Sequence, residues 1–144
     1  MAIDGFSPEH HEAFVAFSRE RTRQVCEAID AIGQRLGAHV SGIEKLPAGR
    51  ALIVANHAFG FDVAFPMAAI FRATGRVVWS LGEHAWWKFP GLRRVVASVG
   101  VVDGTQANAD RLLSRDELLL VLPGGLRESM KPSELRYRLL WGHR

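Results

Sequence analysis

The sequence predicts an α/β fold with a layered sheet and flanking helices. Two uninterrupted apolar runs, Ala51-Leu52-Ile53-Val54-Ala55 and Leu118-Leu119-Leu120-Val121-Leu122, read as strands buried on both faces. Stretches of helical spacing lie between them, and each run ends in a turn that carries polar or Gly residues. Strands alternating with helices are the pattern of a layered sheet.

The elements follow in order. Ser7-Pro8-Glu9 reads as a helix start: a hydroxyl cap, Pro at the first helical position, an acid in the first turn. Phe14, Phe17, Val25, Ile29, Ile32 and Leu36 recur at the spacing of one helical face, and Gly37 is a stop. Cys26 falls in this helix away from any His or acid pattern and reads as a packing residue. Residues 1–37 are thus expected to form an N-terminal helical segment, with 38–144 as the core. Val40 to Ile43 suggests a short strand, and Pro47 to Arg50 a turn. After the first apolar run, Val63 to Arg72 is expected as a helix. Val77 to Ser80 and Val99 to Val102 are expected as strands, and Asn108 to Ser114 as a short helix.

Composition narrows the function classes. The single Cys excludes a disulfide framework and a Cys-cluster zinc site within this chain. No apolar stretch reaches the roughly 18 residues of a membrane span, and Asp4 and Glu9 occupy the place of a signal peptide's basic and apolar start. Charge is uneven: residues 1–49 carry 5 basic and 7 acidic groups, residues 50–144 carry 13 and 8. An anionic partner should therefore meet the second part.

Three segments hold groups that can do chemistry. Asn56-His57-Ala58-Phe59-Gly60-Phe61-Asp62 follows the first apolar strand, where functional groups of α/β sheets gather. An Asp five residues from a His, across a turn with Gly60, can fix the imidazole tautomer and leave the other nitrogen as a general base. The same residues also fit a plain helix start, with His57 as cap and Asp62 in the first turn. No Ser, Thr or Cys lies between them, and no Gly-x-Ser-x-Gly elbow occurs in the chain. A base here would therefore act on a substrate hydroxyl or water.

Leu122-Pro123-Gly124-Gly125-Leu126-Arg127-Glu128 follows the second apolar strand. Its glycines can turn N–H groups toward a ligand, and Arg127 offers a planar fork for an anion. A plain turn is the alternative. The third segment, His84 to Arg94, places Trp86, Trp87, Lys88, Phe89, Arg93 and Arg94 close together. Aromatic plus basic residues suit the headgroup region of an anionic bilayer or stacking on a nucleic acid. They also suit a core Trp beside solvated charges. A net charge of +3 is modest for a nucleic-acid binder, so the membrane is preferred.

In this order the segments resemble the glycerolipid acyltransferase superfamily, the lysophosphatidic-acid acyltransferase-like group. Its first block, Asn-His-x4-Asp, is matched by His57 and Asp62. Its later block, with Pro, Gly and Arg around the acceptor, is matched by Pro123-Gly124-Gly125-Leu126-Arg127-Glu128. The Pro-Gly-Gly form is similar to the diacylglycerol-acyltransferase-like branch. The phosphatidic-acid branch usually reads Pro-Glu-Gly-Thr-Arg, so Gly124 and Leu126 depart from the pattern for a phosphorylated acceptor. Val40 to Pro47 resembles the family's lead-in. Gly100-Val101-Val102-Asp103 resembles its middle block, with Asp103 in the region where an Arg is often found. A further Pro-containing block is not found before the end at Tyr137 to Arg144. The expectation is therefore a glycerol-3-phosphate-acyltransferase-like core, truncated at its C-terminus, with one sheet edge exposed.

The resemblance implies O-acyl transfer from acyl-CoA or acyl carrier protein to a glycerolipid-like hydroxyl, in phospholipid or related lipid synthesis. His57 would be the general base and Asp62 its orienting acid. Gly124, Gly125, Arg127 and Glu128 would bind the acceptor head. Trp86, Trp87, Lys88, Arg93 and Arg94 would rest on the cytoplasmic face of a membrane. No metal or cofactor is expected, because a thioester is already activated. Two other readings remain open: a thioester or ester hydrolase with the same dyad, and a non-catalytic membrane-surface fragment.

Overall fold

The computed structural model describes residues 14–56, 62–124, 132–135 and 138. Four parallel strands form one sheet: β1 (Ala51–Val54), β2 (Val78–Gly82), β3 (Val101–Asp103) and β4 (Leu118–Val121), in the order β1-β4-β2-β3. Among the described residues they are accompanied by the helices α1 (Arg19–Arg35), α2 (Ala64–Thr74), α3 (Pro90–Ala97) and α4 (Gln106–Ser114). The α/β class is as expected. Parallel neighbours need crossovers, and here α2, α3 and α4 supply them.

The two sheet faces are covered differently. On one, Ile70 of α2 packs with Val78, Leu118 and Leu120, flanked by Ile53, Val63 and Met67. On the other, Trp79, Val102 and Leu119 pack with Trp87, Ala97 of α3 and Leu112 of α4. Phe14 and Phe17 join this second face, with ring centroids 5.6 and 4.7 Å from that of Trp79.

Several expectations need correction. Ser7-Pro8-Glu9 lies outside the described residues; residues 14–16 are helical, but the helix expected to run on to Leu36 is interrupted at Phe17 and Ser18, and Ser18 caps α1, accepting a bond from the Arg21 N–H. The expected stripe is split: Phe14 and Phe17 pack on the sheet and Ile29 is half-buried, while Val25, Ile32 and Leu36 are exposed. Instead α1 buries Thr22 and Gly33, and Gly33 faces the Phe65 ring so closely that a Cβ would come within 3.0 Å of it. Small residues let α1 and α2 approach, and the larger apolar side chains are left outside. Gly37, with φ +70°, does follow the helix end. Cys26 is half-buried. Its thiol pKa is raised by burial and secondarily by Glu27, which fits a packing role rather than a nucleophile.

No strand forms at Val40 to Ile43; Gly42 turns the chain at φ +84° into a short 3-10 helix, Ile43–Lys45. The first apolar run is also not buried on both faces. β1 is one of the two edge strands of this sheet, and Leu52 is 54% exposed, whereas its register partner Leu119 on the inner strand β4 is 0% exposed. Trp87, expected at a membrane surface, is 5% exposed and belongs to the core.

Candidate functional site

All four strands run the same way, so their C-terminal ends share one end of the sheet. Ligands of open α/β sheets bind outside that end. β1 delivers Asn56 there, β4 delivers Pro123 and Gly124, β2 delivers His84, and β3 ends on Asp103.

Of the sequence-derived site, His57, Gly125, Arg127 and Glu128 lie outside the described residues. Asp62 is half-buried and precedes α2. The helix-start reading does not hold for it: Val63 is the N-cap, makes no side-chain cap bond, and the first turn carries no acid. Gly124 has φ +94°, in the left-handed region that favours Gly, so this turn uses the freedom expected of it.

The structure brings together a pair that the motifs did not single out. His84 Nδ1 lies 2.9 and 3.1 Å from the two carboxylate oxygens of Asp103. The Asp103 side chain is 1% exposed, while that of His84 is 66% exposed. An ionised carboxylate only accepts, so Nδ1–H is the donor and Nε2 is left facing outward. The local sequence builds this arrangement. Gly82 ends β2 beneath the Trp pair; a Cβ there would come within 2.8 Å of Val101 Cγ1 and 3.1 Å of the Trp87 ring. Gly104 donates its N–H to the Gly82 carbonyl at 3.0 Å, and a Cβ on Gly104 would meet that oxygen at 2.8 Å. The two glycines thus let the ends of β2 and β3 close on each other. The Asp103 carbonyl accepts from Asn108 Nδ2 at 2.9 Å and from the Thr105 N–H at 2.8 Å, which fixes the turn. A local motif could not have found this pair, since its members are 19 residues apart. The usable signal was that each stands at the end of a strand.

The aromatic and basic segment folds as a 3-10 turn, His84–Lys88, followed by α3. Trp86, Phe89, Leu92 and Val95 are exposed apolar groups at intervals of three. Lys88 and Arg94 are exposed beside them, and Arg93 is half-buried. No helix among the described residues is long and apolar enough to cross a membrane.

A family model described as acyltransferase matches residues 37–139, most of the chain. The chain belongs to the acyltransferase family. Among curated relatives, the mouse "DGAT1/2-independent enzyme synthesizing storage lipids" is 34% identical over 109 residues, covering 75% of this chain and 33% of the relative. The human protein of that name is 34% identical over 110 residues, covering 75% and 34%. The chicken protein is 31% identical over 109 residues, covering 75% and 32%. The chain therefore spans about a third of the length of the relatives it matches. No solved structure matches it.

Proposed function

We propose that this chain transfers a fatty acyl group from an acyl thioester, acyl-CoA or an acyl carrier protein, to the hydroxyl of a glycerolipid-like alcohol. The observation that carries this reading is the acyltransferase match over residues 37–139, with relatives whose name describes storage-lipid synthesis.

His57 takes the proton of the acceptor hydroxyl as its oxygen attacks the thioester carbonyl carbon. The tetrahedral intermediate collapses, the C–S bond breaks, and the imidazolium returns the proton to the departing thiolate. Products are the ester and the free thiol. Asp62 orients His57 and stabilises its charge. Gly124, Gly125, Arg127 and Glu128 hold the acceptor head. Base catalysis of this kind contributes roughly 10²–10⁴ in rate. Holding both substrates in line contributes more, with effective molarities on the order of 10⁵ M or above. The exposed row of Trp86, Phe89, Leu92 and Val95, with Lys88 and Arg94, rests on the anionic surface that holds acceptor and product.

The test uses the purified chain with oleoyl-CoA and monoolein. Ester formation is expected, with His57→Ala lowering it about 10²–10⁴-fold while the circular dichroism spectrum stays that of the wild type. Full activity in His57→Ala would overturn the assignment of the base. Thiol release at the same rate with and without monoolein, and no ester, would make the protein a hydrolase instead.

A further inference from the structure

We propose that His84, held by Asp103, contacts the lipid acceptor, and that its Nε2 accepts a hydrogen bond from an acceptor hydroxyl other than the one being acylated. The inference rests on the acyltransferase reading above.

The placement comes first. Val54 is in register with Val121, and Ser80 with Leu120, so the ends of β1, β4 and β2 stand side by side. β4 lies between β1 and β2, so the end of β1, which delivers Asn56, is two strand spacings, about 10 Å, from β2, and the bond to Asp103 draws the His84 ring toward β3, on the far side of β2. Two free hydroxyls of one glycerol, each in a hydrogen bond of about 3 Å to a side chain, bridge a gap of that order.

The chemistry follows from the ring's partner. A buried carboxylate is unfavourable unless it is hydrogen-bonded. One of the bonds that meet that need comes from Nδ1–H of His84, and this bond fixes the ring's rotation and tautomer. In the neutral ring Nε2 accepts and in the charged ring it donates. An alcohol can meet either state, whereas a thioester carbonyl or an ionised phosphate has no proton for the neutral ring. Among the reactants of the proposed transfer, the match is a polyol acceptor with a second free hydroxyl. Asp103 is accordingly a positioning residue and His84 a specificity-determining one.

The discriminating variant is His84→Asn. An Asn amide can still donate to Asp103 from about the position of Nδ1, but it has nothing at Nε2. A purely structural role would leave this variant unchanged. The assay uses oleoyl-CoA with monoolein, which has two free hydroxyls, and with oleyl alcohol, which has one. His84→Asn is expected to raise KM for monoolein roughly 3- to 10-fold, the loss of one neutral hydrogen bond. The preference for monoolein over oleyl alcohol should fall by a similar factor. Equal shifts for the two alcohols, no shift, or a fall in kcat at constant KM would each overturn the proposal. A second readout does not need turnover. In ¹⁵N spectra of the wild-type imidazoles, monoolein is expected to move the His84 Nε2 resonance and oleyl alcohol to leave it. If the wild-type chain acylates neither alcohol, the acyltransferase reading fails. An unmoved Nε2 resonance with monoolein then overturns the His84 contact by itself.

Discussion

The two ends of the sheet are built on different principles. At the N-terminal end, Arg76 precedes β2 and gathers the loops that lead into β1 and β4. Its guanidinium donates to the carbonyls of Pro47 at 2.8 Å, Gly49 at 2.9 Å and Asp116 at 3.1 Å. The Asp116 carboxylate in turn accepts the Arg50 N–H at 2.8 Å. Those contacts run between side chains and main chain, and they close the end. At the C-terminal end, His84, Asn56 and Gly124 are exposed, and among the described residues there Asp103 is a buried carboxylate that holds an imidazole. The Arg76 cross-links are thus collected at the end away from the proposed site. The opposite end keeps polar groups open to solvent, an arrangement that contributes less to stability.

Arg76→Ala is the strongest way to break this contrast. It removes three charge-assisted hydrogen bonds at once and should lower stability by about 2–4 kcal/mol, read by urea unfolding. It should leave KM for the acceptor unchanged in the fraction that remains folded. A raised KM would mean that the two ends are coupled and that the division of labour is wrong.

Gly82→Ala probes the other end. Its Cβ would be 2.8 Å from Val101 Cγ1 and 3.1 Å from the Trp87 ring, both packed groups rather than flexible tips. Overpacking of this kind costs roughly 1–3 kcal/mol. Here the smaller loss of stability should come with a higher KM for monoolein, because the turn carrying His84 must shift. Urea unfolding and steady-state kinetics on the same preparation check both. A loss of stability with KM untouched would detach His84 from the acceptor.

How far the sequence could be read follows the same division between local and non-local. β4 and the helices α2 and α4 were legible because apolar runs and helical spacing are local signals, although the Thr105 cap starts α4 at Gln106, two residues before the expected Asn108. β1 and β4 are both four-residue strands read from unbroken apolar runs, yet Leu119 is sealed and Leu52 is not. The difference is strand order, which periodicity does not carry. α1 misled for a related reason: its contact surface is set by Thr22 and Gly33, whose small size matters only once α2 is laid beside them. At the site, the turn at Gly124 was legible because its glycines follow a buried strand. The Asp103 carboxylate was noticed only as a departure from a pattern. Its partner lies at the end of a different strand, so pairing them needed the order β2-β3.

The smallest effect concerns Asp116, the only non-Gly residue at positive φ among the described residues, at 64°. Asp tolerates this left-handed conformation better than most side chains, but with some strain. Two opposed terms meet here. Asp116→Gly relieves the strain and loses the bond to the Arg50 N–H; the terms are of similar size, about 1 kcal/mol each, so the net change should be near zero. Asp116→Ala loses the bond and makes the strain worse, so it should lower stability by about 1–3 kcal/mol. Thermal unfolding of the two variants side by side separates the terms. If Gly is as destabilising as Ala, the carboxylate bond carries the closure of the N-terminal end. If both are silent, Arg76 closes that end by itself, since its bond to the Asp116 carbonyl survives either substitution.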